Sequence, residues 1–351
     1  MRSRCLFALA IPALAALASA QADFDFVVNQ AQSNFTWTGT STLGPIVGNP
    51  STAFQWAGDT HMTLSPSGAV SVASGDFPGT GDAHTVPDLH GKVNGPIPGI
   101  PLATIDVTNL HIKLSAPSFA IAANGTYTSS LTLTAISGTL AIHPLIGTPT
   151  NMDLTGQAST PTPTAGTVSH SGNNLHLSIP VNSSFIFNDP VSGASGTITV
   201  IGTVNADWTC PAATTYCTAK TNSLGCVPSM SSSGLPSASA ATPFAVTCAN
   251  VINQKNGILF YSHQPAAIPF QGGLLCANPP TQRTPVQSSG GSASGSDCSG
   301  AFSFDFNAQI QGGIDATLTA GSEVFAQYWS RDPVSASTTS LSNALRFLVQ
   351  P

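Results

Sequence analysis

Apolar side chains recur at every second position in short runs along this chain, and clusters of Gly, Pro, Asn and Ser separate the runs. Phe24, Phe26 and Val28 alternate with Asp25 and Val27, and Phe35 and Trp37 with Asn34, Thr36 and Thr38. Met62/Leu64, Val70/Val72, Ile105/Val107, Leu110/Ile112/Leu114, Leu131/Leu133, Leu140/Ile142, Leu175/Leu177/Ile179, Phe185/Phe187 and Ile198/Val200 continue the series. Period 2 marks strands buried on one face, because successive side chains point to opposite sides. Helices are disfavoured by composition. Glu323 is the only glutamate, against 32 Gly and 27 Pro, whereas long helices want Glu, Lys, Arg, Leu and Ala with few breakers. The expected class is all-β, in antiparallel sheets with one polar face.

Two β domains are expected. Residues 21–208 carry no cysteine and form a sandwich or barrel. Within them, the Pro- and Gly-rich stretch 75–101 reads as an excursion over the surface, and 155–173, rich in Thr, Pro, Gly and Ser, as a flexible loop or hairpin. Residues 209–243 read as a cysteine-containing linker or lead-in. Residues 244–351 read as a disulfide-stapled β-sandwich, with runs at Phe244–Thr247, Ile258–Tyr261, Phe302–Phe306, Val324–Trp329 and Leu345–Val349.

The N-terminus points to export. Arg2 and Arg4 precede an apolar run from Leu6 to Leu17, and Ala18-Ser19-Ala20 forms a small-x-small cleavage site. Residues 1–20 thus have the anatomy of a secretory signal peptide, which places the protein outside the cell or at its surface. No later run approaches the ~20 apolar residues that a transmembrane helix needs. Cys5 leaves with the leader. The remaining Cys210, Cys217, Cys226, Cys248, Cys276 and Cys298 form an even set, which in an exported chain reads as disulfides; six cysteines allow fifteen pairings. If Cys276 pairs with Cys298, the bridge closes a polar loop of about twenty residues, worth roughly 3 kcal/mol in the chain-entropy model.

Charge is sparse, at 7% of residues. Without Arg2 and Arg4, seven basic residues face fifteen acidic ones, 7 − 15 = −8. Nucleic-acid binding is excluded as an expectation, since phosphate neutralisation needs clustered Lys and Arg.

Asp82, His84, Asp88 and His90 place two imidazoles and two carboxylates within nine residues, a donor set suited to a divalent metal and equally to a solvated polar loop. His61, His111 and His176 sit on polar faces of expected strands and would converge only if those strands were neighbours. Tyr328, Trp329 and Arg331 form an aromatic and cationic patch suited to glycan or protein contacts; alternation buries one of the two aromatic rings. No Gly-x-Ser-x-Gly elbow, His-Glu-x-x-His motif, P-loop or dinucleotide fingerprint occurs. No catalytic residue and no cofactor is assigned.

Several segments in order resemble a C-terminal module common in secreted proteins of planctomycete-like bacteria. They are Cys217–Cys226, Asn256–Tyr261, Pro269–Gly273, Arg283–Pro285, Asp297–Gly300 and Gln327–Pro333. The resemblance covers residues 217–351. It implies a surface, sorting or adhesion role and the pairings Cys217–Cys226 and Cys276–Cys298, which leave Cys210–Cys248 as a third pair. Gln32–Trp37 and Gly138–His143 resemble strands of YceI-like barrels, which implies an apolar ligand. The sequence thus reads first as an exported, non-catalytic structural or interaction protein meeting a protein, glycan or lipid at the cell surface. A lipid- or glycan-binding barrel or sandwich and a metal-dependent hydrolase are the alternatives.

Overall fold

The computed structural model describes residues 22–67, 71–171, 174–189 and 193–350. The expected leader, with Cys5, and Val70 of the strand series lie outside the described residues. Strand accounts for 62% of the structure and helix for 3%, so the class is all-β.

The first domain opens with β1 (Ala22–Val28), β2 (Asn34–Ser41), β3 (Gly44–Gly48), β4 (Ala53–Ser67), β5 (Ser71–Pro78), β6 (Ala83–Val86) and β7 (Leu89–Asn94). The long β8 (Pro101–Ala120) and β9 (Thr126–Pro144) follow, then β10 (Thr150–Asp153), β11 (Thr162–Ser171), β12 (Asn174–Asn188) and β13 (Ser195–Thr209). All their ladders are antiparallel, and the pairing returns on itself. It runs β1–β4–β5–β8–β9–β11–β12–β13 and back to β1. The domain is therefore a barrel, which removes the open edges that a sandwich keeps. Toward one end, β2, β3 and β7 replace β1, β4 and β5 between β13 and β8. At that end β10 lies on β9, and no ladder joins β10 to β12 among the described residues. Thr150 Oγ1 spans this seam by donating to Asp189 Oδ2 at 2.7 Å.

The alternating apolar residues fill the barrel. Phe26, Trp56, Met62, Leu131, Leu133, Ile179 and Val204 are fully buried, each contributing on the order of 2 kcal/mol by burial. Phe35 stacks on Trp56 and Phe54, with ring centroids 4.4 and 5.4 Å away. β7 crosses close above Trp37: a Cβ on Gly91 would lie 2.6 Å from the indole, so only glycine fits.

The strand phase changes in the middle of β8. Ala103, Ile105 and Val107 point inward, and then Leu110, Ile112 and Leu114 do. The slip falls at Asn109, whose φ is 52°, where the β8–β9 register breaks. This bulge turns His111 outward.

One sequence expectation for this domain fails, and a second holds only in its hairpin form. Residues 75–101 are not an excursion, because β6 and β7 lie within them and pair with β4, β8 and β3. Their prolines and glycines fall largely at the strand junctions. Residues 155–173 contain β11, which lies between β9 and β12. Its threonines suit a half-buried pleated surface.

The second domain contains β14 (Thr214–Tyr216), β15 (Ser229–Ser233), β16 (Ala245–Val251), β17 (Asn256–Ser262), β18 (Pro265–Phe270), β19 (Gly273–Ala277), β20 (Gln282–Arg283) and β21 (Gln287–Ser288). β22 (Gly300–Asp305), the short helix α1 (Phe306–Gln311), β23 (Glu323–Arg331) and β24 (Thr339–Leu348) complete it. A sheet in the order β14–β24–β23–β17–β20, with β21 also on β17, faces the sheet β15–β16–β22. Phe244, Val246, Leu259, Tyr261, Phe302, Phe306, Tyr328 and Phe347 fill the space between them. The β18–β19 hairpin covers part of the outer face, where its Leu275 and Ala277 pack with Phe260 and Leu341. Residues 209–243 are not a free linker: β14 pairs with β24, and β15 with β16.

The cysteine pairing also differs from expectation. Cys217 bonds to Cys276 and Cys226 to Cys298, not Cys217 to Cys226 or Cys276 to Cys298. The cause is the path of 217–226. Lys220 N donates to Leu341 O, so the segment runs along β24 and does not close on itself. Asn222 then builds a tight turn, its Oδ1 accepting from Leu224 N and Cys226 N. Cys217, at the end of β14, meets buried Cys276 on β19, while Cys226, beyond the turn, meets the loop before β22. Cys210 and Cys248 are both buried thiols and do not pair. Cys248 sits within the sandwich core on β16, whereas Cys210 follows β13 and contacts Leu348 O.

Candidate functional site

The barrel interior leaves little room for a ligand. Along the β10–β12 seam, Leu140, Met152, Leu154, Phe185, Phe187 and Ile198 line an apolar cavity of about 50 Å³. Pockets for lipids or drug-sized molecules run to several hundred Å³. A larger cleft of about 520 Å³ lies at the barrel end, lined by Leu43, Leu102, Leu145, Ile146 and Ala194 among others. Ile146 there is 90% exposed.

The histidines of the barrel wall face outward, where strand register joins four of them to aspartates. β1 sets Asp25 opposite His61 on β4, and His61 Nδ1 bonds the Asp25 carboxylate. On β12 and β13, His176 and Asp207 are register partners and bond the same way. His90 on β7 faces Asp106 on β8, with Nδ1 donating to Oδ1 at 2.7 Å. His111 Nδ1 donates to Asp82 Oδ1 at 2.6 Å.

The fourth pair has an additional member. His84 on β6 is the register partner of His111 on β8, and their rings stack with centroids 5.1 Å apart and planes 26° from parallel. Asp82, His84 and His111 each offer a ligand atom, and these atoms lie within 4.8 Å of one another. Both imidazoles are half-buried and Asp82 is exposed. Asp82 is held by reciprocal backbone hydrogen bonds with Asp59, each 3.1 Å, and its N–H also donates to Asp59 Oδ1. Two glycines permit this approach: a Cβ on Gly58 (φ 106°) would lie 2.0 Å from Asp82 O, and one on Gly81 (φ 90°) 2.9 Å from Thr60 Cα.

The structure divides the quartet read from sequence. Asp82 and His84 stay together, and His111 joins them. His90 is drawn away by Asp106. Asp88 is not at the cluster either: its Oδ1 accepts from Asn109 N at 2.9 Å. Asp88 therefore pins the bulge that turns His111 outward. His111 was visible in the sequence as a polar-face residue between Leu110 and Ile112. Its meeting with His84 depends on β6 being a strand, which the Pro/Gly content of 75–101 obscured. The partners Asp25, Asp106 and Asp207 carry no motif and emerge only from register.

Alternation buries one ring of the aromatic patch, as expected. Tyr328 lies in the core, stacked on Phe302 at 5.0 Å, with its hydroxyl donating to Gln287 Oε1. Trp329 is half-buried and donates Nε1–H to Gln271 Oε1 at 2.9 Å, and the Arg331 guanidinium lies 5.2 Å over its ring. Burial pushes the Cys248 thiol up to about 12 and raises that of Cys210.

Comparison of the chain with protein-family models, curated proteins and solved structures finds no match. No helix among the described residues is long and apolar enough to cross a membrane. The two disulfides fit an oxidising compartment.

Proposed function

We propose that the chain is an exported, non-catalytic interaction protein that works at the cell surface or in the extracellular space through the outer wall of its barrel. The observation that carries this reading is the division of the first domain into a packed apolar interior and an outer wall bearing the paired His and Asp side chains. Such a filled barrel is a rigid scaffold that presents a surface. The stapled second domain, with Trp329 and Arg331 outward, supplies a further surface for a protein or glycan. Export is supported by the leader-like N-terminus and the disulfides.

A ligand-binding role is the second reading, and the exposed apolar rim favours its lipid form. Leu145 and Ile146 border the 520 Å³ cleft, so an apolar ligand would be gripped at the barrel mouth and not inside. Antibody labelling of intact cells, with protease shaving and analysis of the medium, tests the proposal. It predicts antigen that is surface-accessible or released; antigen found only in the cytosol contradicts it.

A further inference from the structure

We infer that Asp82, His84 and His111 form a binding site for a divalent first-row transition ion on the outer wall of the barrel. Two imidazole nitrogens and one carboxylate oxygen are the donors that zinc and its neighbours prefer, whereas calcium and magnesium select all-oxygen sets. Three protein ligands with the remaining position open to solvent is a common coordination pattern for zinc.

The ligands come from two strands and the turn before one of them. The backbone fixes the position of each. Strand register sets His84 beside His111. The Asn109 bulge, pinned by Asp88, sets the outward direction of His111. The backbone bonds to Asp59, with Gly58 and Gly81 beneath, fix the turn that carries Asp82. The chain therefore meets much of the ordering cost before an ion arrives.

The ion takes the place of the proton between His111 and Asp82. Their 2.6 Å separation opens to about 3.3 Å, the edge of a tetrahedron with metal bonds of ~2.0–2.2 Å. His111 Nδ1 releases its proton to solvent, and its lone pair becomes a ligand. The other three His–Asp pairs have no second imidazole across the ladder, so they serve as internal controls. The site lies on the convex wall, and neither cavity described above is lined by it. The open coordination position thus faces water or a second molecule.

The test is equilibrium dialysis of the untagged, purified protein against ZnCl₂, with metal analysis and calorimetric titration. One zinc per chain is expected, removable by EDTA. His84→Ala and His111→Ala should each weaken binding at least tenfold, while His90→Ala and His176→Ala should leave it unchanged. In the unaltered protein, zinc should shift the imidazole NMR signals of His84 and His111 and not those of His61, His90 or His176. That readout needs no variant to fold. Absence of stoichiometric binding, equal loss with His90→Ala, or zinc-induced shifts confined to other histidines would overturn the assignment.

Discussion

The crossed disulfide pattern makes a prediction that local pairing cannot imitate. Cys217–Cys276 spans 59 residues and Cys226–Cys298 spans 72. In the chain-entropy model the first bridge to form contributes about 4 kcal/mol. The second then closes a shorter circuit, through the nine residues from Cys217 to Cys226 and the twenty-two from Cys276 to Cys298. A circuit of about 31 residues is worth just under 4 kcal/mol. Cys217→Ser with Cys276→Ser therefore removes one bridge, keeps the other, and costs about 4 kcal/mol. Cys217→Ser with Cys226→Ser breaks both bridges, strands Cys276 and Cys298 as thiols, and costs about 8 kcal/mol, comparable to the whole stability of a typical domain. Guanidinium unfolding of both variants, with thiol counting and non-reducing peptide mapping, measures the difference. The reverse order, with the 217/226 variant milder and retaining a Cys276–Cys298 peptide, would refute the pairing.

Three further outcomes follow from the packing. Cys210 and Cys248 should resist iodoacetamide in the folded protein and both react in denaturant, since they are buried and the Cys248 thiol is pushed up to about 12; rapid native alkylation at neutral pH would contradict this. Gly91→Ala should destabilise the barrel by about 1–3 kcal/mol through overpacking against Trp37, and an unchanged thermal midpoint would show that β7 is not seated there. Asp315 sits in a buried setting that opposes ionisation, yet hydrogen bonds from Thr317 N–H, Thr317 Oγ1 and the Tyr261 hydroxyl hold its carboxyl below the ordinary 3.8. Its contribution is therefore full above that value and lost as pH falls through the lower folded value, so Asp315→Asn should flatten the acid limb of a stability–pH curve, and an unaltered limb would remove this role.

Much of the fold was legible because period-2 burial is written directly into the residues. Even the phase change from Ile105/Val107 to Leu110/Ile112/Leu114 appears in the apolar pattern, and the structure supplies its cause in the Asn109 bulge. β6 and β11 were hidden for a shared reason. Their apolar residues are few and small, only Ala83 and Val86 in β6 and Pro163, Ala165 and Val168 in β11, and pairing on both sides holds them where apolar content alone would not. The disulfides were illegible because sequence distance does not report the path of 217–226 along β24. The His–Asp pairs depend on ladder register, which alternation does not fix between strands distant in the chain.

The central claim is that the barrel is filled by its own side chains and acts from outside. Native mass spectrometry of the protein isolated gently from the cells that make it tests this most directly. The account predicts the polypeptide mass less four hydrogens, with no organic ligand attached and at most a metal ion. A stable one-to-one lipid adduct that survives desalting would contradict it.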